Sequence, residues 1–206
     1  MILREYEQFE RAYNHFNSEL FECSLPPVLF TYQRKKKAYG FFCADRFEYR
    51  ATNELSNKLV AHELAMNPTY FKENTEEEIL STLVHEMVHV WQQEEGTPPK
   101  NVYHNKEWAR KMEEVGLMPS TTGHEGGKKT GVKCSHYIIE NGPFQVAFHK
   151  LGPWKLSWQI ADLESDKKPP AEKKVKYVCS GCELKVWAKT KACISCMNCE
   201  ITMEEA

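Results

Sequence analysis

The sequence lacks the long apolar run, about 20 consecutive residues, that a membrane helix requires. Its first residues, MILREYEQFERAYNHF, mix charged and apolar side chains and contain no apolar segment of the signal-peptide type. We therefore expect neither a signal peptide nor a transmembrane helix, no membrane partner, and a cytoplasmic location. The formal net charge is also small, −2, so the charge of the whole chain does not indicate nucleic-acid binding.

The chain does have enough length and apolar content for a folded core. Its 206 residues allow one medium domain and one small domain, and a composition of 41% hydrophobic and 27% charged residues is typical of a soluble globular protein. Of the eight cysteines, five fall in the last 28 residues. In a reducing compartment, a cluster of this kind indicates metal binding rather than disulfides.

The apolar pattern predicts three helices. Spacings of three and four between aromatic residues predict a helix over about residues 4–21, and a capping box formed by Thr75 and Glu78 predicts that a long helix begins there. A third helix is predicted over roughly residues 105–115. The remaining predicted elements are short strands at 28–32, 39–44 and 62–66, which we expect to form a small antiparallel sheet, and a long loop at 119–136.

The segment His85-Glu86-Met87-Val88-His89 has the form H-E-x-x-H and lies within the long predicted helix. Residues four apart lie on one helical face, so both imidazoles can reach one ion. Zinc lowers the pKa of the water that it binds toward ~7, and a carboxylate beside that water can take its proton. The pattern predicts a zinc site with His85 and His89 as ligands and Glu86 as general base. A chance pentapeptide is the alternative, but both histidines fall in an apolar run, where a buried histidine needs a partner.

A catalytic zinc needs a third protein ligand and one open position. His104 lies 15 residues after His89, at the start of the third predicted helix and four residues before the apolar Trp108. We therefore favour His104 as the third ligand. Some zinc peptidases use a glutamate from the following helix, so three alternatives remain, Glu107, Glu113 and Glu114.

The segment STLVHEMVHVWQQ, with YHNKEWARKMEEVGLMPS after it, resembles the SprT-like metallopeptidases, which include the Spartan-type proteases that degrade proteins crosslinked to DNA. The family pattern is H-E-x-x-H with a later histidine at the start of a helix, which matches His85, Glu86, His89 and His104. In layout the resemblance covers about residues 1–116. It implies a minimal peptidase core in which a few strands pack on the metal-bearing helices.

The residue patterns and the resemblance together predict an α+β fold. We expect a small antiparallel sheet packed on metal-bearing helices, as in a minimal zincin-like core, followed by a C-terminal β zinc ribbon. The predicted metallopeptidase domain spans residues 1–165, with its core at 1–118 and a loop with accessory strands at 119–165. Residues 166–206 are predicted to form a linker, which begins Asp-Lys-Lys-Pro-Pro, and the ribbon module.

The C-terminal cysteines have the spacing of a second metal site. Cys179-x-x-Cys182 and Cys196-x-x-Cys199 are separated by 13 residues, and many SprT-like proteins append a zinc ribbon. Cys193-x-x-Cys196 has the same form, but the intervening hairpin needs the longer span, so we favour Cys196 with Cys199. Four thiolates would make this zinc structural, and it would hold a module with little core folded. Reduced cysteines without metal are the alternative.

The region around these cysteines is basic. From Lys167 to Lys191, eight lysines stand against two glutamates, a balance of +6. Cations that follow phosphates, beside aromatic rings that stack on bases, are typical of proteins that bind single-stranded nucleic acid. The candidate residues are Lys173, Lys174, Lys176, Tyr177, Lys185, Trp187 and Lys189. A solvated linker with two aromatic residues in a small core fits equally well. The resemblance favours DNA, preferably single-stranded, and a nucleoid association.

The leading functional hypothesis is a zinc endopeptidase with one catalytic and one structural zinc, stimulated by DNA and acting on proteins bound or crosslinked to DNA. His124, His136 and Tyr137, in or just after the long loop, are candidates for stabilising the oxyanion, and of these we favour His136 and Tyr137; a structural or exposed position is the alternative for each. One alternative is a nucleic-acid-binding zinc protein whose H-E-x-x-H site is structural or inactive, and another is a hydrolase of non-peptide substrates. Spartan-type proteins carry a long tail with partner-binding motifs. None follows the cysteines here, so we expect a compact prokaryotic, phage or plasmid version.

Overall fold

The computed structural model describes residues 3–49, 60–157 and 174–206. In these residues the helices are Leu3–Leu20 (α1), Glu76–Glu94 (α2), Lys106–Glu114 (α3) and Pro143–Leu151 (α4), with a 3-10 turn at Pro68–Tyr70. The strands are Val28–Tyr32 (β1), Gly40–Glu48 (β2), Val60–Met66 (β3), Leu117–Ser120 (β4), Ser135–Ile138 (β5), Lys174–Val178 (β6), Lys185–Lys189 (β7), Ser195–Cys196 (β8), Ile201–Thr202 (β9) and Glu204–Glu205 (β10). Helices with several small sheets confirm the predicted α+β class.

The described residues fall into two compact units, 3–157 and 174–206. The predicted boundary after residue 165 and the predicted linker that begins at residue 166 lie outside the described residues. None of the helices in the described part of the chain is long and apolar enough to cross a membrane.

Helix α1 forms because its aromatic residues recur at spacings of three and four. Phe9, Tyr13 and Phe16 are buried against the rest of the first unit, and the Tyr13 hydroxyl donates a 2.6 Å hydrogen bond to the Pro26 carbonyl. Burying one such side chain stabilises the fold by about 1.5–3 kcal/mol. The predicted helix is confirmed, with each end displaced by one residue.

The first sheet has the strand order β1-β3-β2. β2 runs antiparallel to β3, as predicted, but β1 runs parallel to β3, so the sheet is mixed rather than wholly antiparallel. The last five residues of β3, His62–Met66, are all buried. This strand therefore takes the central position, and β1 and β2 pair with its two edges. β2 is left at the edge of the sheet, beside α2.

Helix α2 is the central element of the first unit. Its start is fixed by the predicted capping box, in which Thr75 Oγ1 accepts from the Glu78 N–H at 3.2 Å and the Thr75 N–H donates to Glu78 Oε2 at 2.8 Å. Leu80, Leu83 and Met87 are fully buried, and the helix packs on β2, α1 and α3. A helix held in this way presents its polar residues in fixed positions.

The region predicted as a long loop at 119–136 is shorter in the structure. Pro119 and Ser120 belong to β4 and pair with His136 and Ser135 of β5, which leaves a loop of residues 121–134. The residue before β4, Gly116, has a φ of +90°, and a side chain there would lie 2.7 Å from the backbone nitrogen of Phe144. Only glycine fits this turn between α3 and the hairpin.

The second unit is small and has little core. Strands β10, β6 and β7 form one sheet, and β8 pairs with β9. Four of its residues are buried in one apolar cluster, Tyr177, Cys179, Cys196 and Met203. The Tyr177 hydroxyl donates to the Lys189 carbonyl and accepts from the Ala192 N–H, both at 3.0 Å. These two bonds join β6 to the end of β7 and to the turn that follows it.

Candidate metal centres

Three histidines converge at the surface of α2. His85 and His89 lie one helical turn apart, and His104 comes from the residue just before the cap of α3. One ring nitrogen from each lies within 4.8 Å of the others. The buried Trp108 ring packs against all three, with centroid distances of 4.3 Å to His104, 5.0 Å to His85 and 5.4 Å to His89. The predicted triad is therefore brought together against an aromatic wall.

The hydrogen bonds of two of these rings determine which nitrogen is free. His104 Nδ1 lies 3.0 Å from the Gly131 carbonyl. Because a carbonyl only accepts, this nitrogen carries the proton, and Nε2 keeps a lone pair for a metal. His85 Nδ1 lies 3.1 Å from His136 Nδ1, so this ring is also held by its outer nitrogen. Such outer partners orient metal-binding histidines and raise their basicity.

The protonation of the triad fits a metal site. Burial, with the neighbouring His136, His89 and His104 adding to it, lowers the pKa of His85 well below its usual value. Burial and His104 lower the pKa of His89 to about 3. Both rings are therefore neutral near pH 7, which is the form that binds a metal. Three neutral imidazole nitrogens fit zinc, whereas calcium and magnesium require oxygen donors.

Glu86 lies beside the triad in a close contact between α2 and β2. A side chain at Gly40 would lie 3.2 Å from Glu86 Oε1, so the absence of one allows the strand to approach. Burial raises the pKa of Glu86 to about 8, while Lys35 and a hydrogen bond from the Phe42 N–H act in the opposite direction. A cation held by the three histidines would act in the same direction as Lys35 and favour the carboxylate.

The three glutamates that compete with His104 are engaged elsewhere. Glu107 Oε2 accepts hydrogen bonds from the Thr97 N–H and from Gln92 Nε2, both at 2.8 Å. The other two form ion pairs, with 3.0 Å from Glu113 to Lys129 and 2.7 Å from Glu114 to Lys111. None of the three belongs to the group of converging donors in the described residues, so His104 is the better candidate.

The triad and Glu86 line a cleft of about 700 Å³. The cleft is also lined by the Gly40–Phe42 segment of the edge strand β2, by residues of the α2–α3 connection and by residues of the β4–β5 hairpin. Apart from Glu86, the charged side chains that line it in the described residues are lysines, Lys35, Lys37, Lys100 and Lys133. The cleft is therefore cationic even before any metal is considered.

His136 and Tyr137, predicted as oxyanion stabilisers, have different surroundings. His136 lines the cleft, but both its ring nitrogens are hydrogen-bonded within the protein, to His85 and to Ser81 Oγ at 2.9 Å. This pairing leaves His136 without a ring N–H directed at a substrate. Tyr137 is the next residue of β5, so it lies on the opposite face of the strand, and it does not belong to the described cleft lining.

The second group of converging donors consists of Cys179, Cys182, Cys196 and Cys199. Their ligand atoms also lie within 4.8 Å of one another, and the Cys182 and Cys196 sulfurs are 3.6 Å apart. Cys193 is exposed and lies outside the group. Hydrogen bonds from the backbone N–H groups of Cys182 and Gly181 lower the pKa of Cys179 to about 7. Hydrogen bonding to Cys182 raises the pKa of Cys199 to about 12, so Cys179 is the cysteine of this group that most readily becomes a thiolate without a metal. Four converging sulfur donors fit a closed zinc site.

The predicted nucleic-acid residues divide between the two faces of the β6–β7 hairpin. Lys174 pairs with Lys189 and Lys176 with Trp187, so these side chains share one face, together with Lys185. Trp187 is 60% exposed on this face, whereas Tyr177 is 3% exposed in the core on the other face. Glu204 of β10 lies at the edge of the lysine-bearing face, and Lys173 lies outside the described residues. We call Lys174, Lys176, Lys185, Trp187 and Lys189 the ribbon face.

Sequence reasoning missed the groups that support the histidines and Glu86. The Phe42 N–H, the Gly131 carbonyl and Ser81 are partners that depend on the tertiary fold. Trp108 was noted as an apolar residue of the third predicted helix, but its contact with all three histidines was not predicted. Its position four residues after His104 was the one available signal, since residues at this spacing share a helical face.

Comparisons with known proteins agree with this geometry. The model of the SprT-like family matches residues 9–129, more than half of the chain. A protein of Salmonella typhimurium, described as an uncharacterized protein in the mucB 3′ region, is 48% identical over 42 residues, which cover 20% of this chain and 57% of the relative. No solved structure matches the chain. The extent of the family match shows that this protein belongs to the SprT-like family, which supports a zinc metallopeptidase-type function.

Proposed function

We propose that this protein is a zinc-dependent endopeptidase that cuts proteins bound or crosslinked to DNA. The observation that carries the peptidase part is the convergence of His85, His89 and His104 beside the buried carboxylate of Glu86, in a cleft that opens along an edge strand. The DNA part is supported separately, by the charge of the cleft and of the ribbon face.

Each polar residue of the cleft has a role in this proposal. The three histidines hold the ion, and their neutral rings need lose no proton to do so. When bound, zinc would polarise a peptide carbonyl and make water a better nucleophile. Glu86 accepts the proton of the attacking water on a carboxylate oxygen and delivers it to the departing amine nitrogen. The Phe42 N–H and Lys35 favour the charged form of Glu86 against the burial that raises its pKa, and an ion held by the three histidines would favour the charged form further.

A peptide is the substrate that the cleft walls favour. β2 bonds to β3 along one edge, and its Gly40–Phe42 segment lines the cleft. An extended peptide can add to such an edge through main-chain hydrogen bonds, which require no particular side chains. Loose sequence preference is therefore expected, with the apolar side chains of Val102, Tyr103 and Val132 available at the rim.

Two separate cationic surfaces favour a substrate that is attached to DNA. The cleft has four lysines besides Glu86, and the ribbon face has four lysines around an exposed tryptophan. Lysines neutralise phosphates, and an exposed indole can stack on an unpaired base. This combination supports a preference for single-stranded DNA, and binding of DNA would raise the local concentration of protein substrate.

The test measures bound zinc and protein cleavage for the full chain, with an unfolded protein substrate that is either free or bound to single-stranded DNA. We expect two zinc ions per chain and faster cleavage of the DNA-bound substrate. Glu86→Gln should keep both ions and lose cleavage by a factor of about 10²–10⁴, because general-base catalysis is worth that much. Glu107→Gln is the matched control, since its carboxylate bonds to Thr97 and Gln92, and it should retain both zinc and cleavage.

Unchanged cleavage by Glu86→Gln would overturn the assigned role of this residue. A second candidate function, a nucleic-acid-binding zinc protein without peptidase activity, is favoured by the ribbon face. A native chain that holds zinc and binds DNA, but cuts no protein in either state, would establish this second candidate instead. Equal cleavage of free and DNA-bound substrate would retain the peptidase and remove the DNA part.

A further inference from the structure

The hydrogen bonds around His85 extend beyond the triad. From His85 Nδ1 they pass to His136 Nδ1 at 3.1 Å, and from His136 Nε2 to Ser81 Oγ at 2.9 Å. The Ser81 hydroxyl then donates to the backbone carbonyl of Glu78 at 2.8 Å. These bonds leave α2 at His85, cross to β5 and return to α2 one turn earlier. Ser81 and His85 are both buried, so water does not compete easily for their partners.

The carbonyl at the end of this series determines the direction of each bond. The Glu78 carbonyl only accepts, so the Ser81 hydroxyl hydrogen points to it, and the Ser81 oxygen must accept from His136 Nε2–H. Neutral His136 then has no proton on Nδ1, and it accepts from His85 Nδ1–H. In neutral His85, the remaining nitrogen, Nε2, has a free lone pair. The series therefore selects the tautomer of His85 that can bind a metal through Nε2.

The other possible arrangement would disable the site. A His136 that donated from Nδ1 would require His85 to accept on Nδ1, and neutral His85 would then carry its proton on Nε2. That proton would occupy the position needed for a metal. The two facing Nδ1 atoms are 3.1 Å apart, so only one of them is protonated, and the bond to Ser81 decides which one.

The same hairpin holds a second ligand in the same way. The Gly131 carbonyl accepts from His104 Nδ1–H at 3.0 Å, and residue 131 precedes His136 in the loop and strand that follow β4. Both acceptors lie beyond residue 129, where the match to the family model ends. The hairpin thus orients two of the three histidines although it supplies no ligand itself.

We propose that His136 is a positioning residue, which, together with Ser81, fixes the tautomer and ring orientation of His85 and so prepares the histidine site for its metal. This inference rests on the metal site in the proposed function, but not on peptidase activity. His136 acts through His85 and contacts neither the metal nor the substrate. Loss of such an outer partner typically costs a factor of 10–100 in metal affinity.

The test uses the full chain with its cysteine site filled and its histidine site empty. His136→Phe keeps a ring but removes both hydrogen bonds, whereas His136→Gln keeps one acceptor and one donor. Ser81→Ala removes the bond that sets the tautomer of His136, together with the bond from the Ser81 hydroxyl to the Glu78 carbonyl, and keeps the His136 ring. His124→Phe, at an exposed position in the loop of the same hairpin, is the matched control. One measurement is zinc affinity of the histidine site by competition with a chelator, and the other is the ¹⁵N chemical shifts of the His85 ring.

In the native chain we expect the His85 proton on Nδ1. His136→Phe should give a mixture of tautomers and a roughly 10–100-fold loss of zinc affinity, His136→Gln should recover most of the loss, and His124→Phe should show none. Ser81→Ala should give a smaller loss with mixed tautomers, and it decides the matter if His136→Phe does not fold. Native zinc affinity in His136→Phe, or a native His85 protonated on Nε2, would overturn the inference. Zinc affinities as expected without any cleavage would count against the peptidase alone.

Discussion

The two candidate metal sites differ in what holds their donors in place. The histidines sit on elements of a unit with a large apolar core, in which Leu83, Met87 and Trp108 are fully buried around them. The cysteines sit in a unit whose buried cluster has four members, and two of these, Cys179 and Cys196, are themselves candidate donors. The histidine donors are therefore held by a core that exists without them, whereas the cysteine donors form half of the buried cluster of their own unit.

This difference indicates what a metal contributes at each site. The Gly131 carbonyl and His136 hold two of the histidine rings, and Trp108 packs against all three, before any ion binds. An ion at the histidine site would therefore add catalytic chemistry to donors that are already in position. In the second unit, we expect the binding free energy of an ion to supply folding free energy, because so small a core cannot offset the entropy of ordering the chain.

Removal of metal should therefore give the largest difference in stability between the two units. With a strong chelator, we expect amide hydrogens of residues 174–206 to lose their protection from exchange, while those of α2 and α3 keep theirs. Structural zinc in small modules is worth on the order of 10–16 kcal/mol, so loss of protection should be complete. Hydrogen exchange measured by mass spectrometry checks this, and added zinc should restore the protection.

Cysteine variants test whether the effect comes from the assigned site. Cys179→Ser should unfold the second unit even in excess zinc, and Cys193→Ser, at an exposed cysteine outside the cluster, should have no effect. Equal loss of protection in α2 and in the ribbon after chelation would contradict this difference between the units. It would mean that the unit with the histidine site also depends on metal for its fold.

A second contrast concerns the side chains that each unit exposes. Trp187 is the exposed aromatic residue of the ribbon face, and stacking of one base on such a ring is worth about 1–3 kcal/mol. Trp187→Ala should therefore weaken binding of single-stranded DNA by about 5–150-fold. Cleavage of a free protein substrate should not change, since Trp187 belongs to neither the cleft lining nor the first unit.

The control for this variant is Leu184→Ala, which removes an exposed apolar side chain of the ribbon outside the ribbon face. DNA affinity, measured by fluorescence anisotropy at fixed salt, should be retained there. Equal losses from both substitutions would point to general ribbon damage, and no loss from Trp187→Ala would exclude stacking at the ribbon face.

Local patterns predicted most of the candidate donors that converge at the two sites, because helix periodicity and cysteine spacing are properties of short segments. H-E-x-x-H within an apolar run requires only that the segment be helical, and two C-x-x-C knuckles require only a hairpin between them. The capping box of α2 was predictable for the same reason, since Thr75 and Glu78 are three residues apart.

Features that depend on distant contacts could not be predicted in this way. The spacing of His104 left Glu107, Glu113 and Glu114 open, and only the folded structure shows that His104, and none of the three glutamates, converges with His85 and His89. His136 lies 51 residues from His85 in sequence, so nothing local relates them. The prediction of a wholly antiparallel sheet was wrong for β1 for a related reason, because apolar alternation predicts strands but does not say which strands pair or in which direction.

The smallest expected effect tests how far the histidine site depends on local helix stability. Thr75→Ala removes the cap of α2 and should lower the free energy of unfolding of the first unit by about 1 kcal/mol. Glu78→Gln keeps an acceptor for the Thr75 N–H and should cost less. Urea unfolding followed by circular dichroism measures both. The cap lies ten residues before His85, nearly three helical turns, so zinc affinity of the histidine site should be unchanged. A loss of zinc-binding free energy as large as the loss of unfolding free energy would mean that the core and α3 do not hold the candidate ligands by themselves. The two units would then differ only in how strongly each metal site depends on the stability of its surroundings.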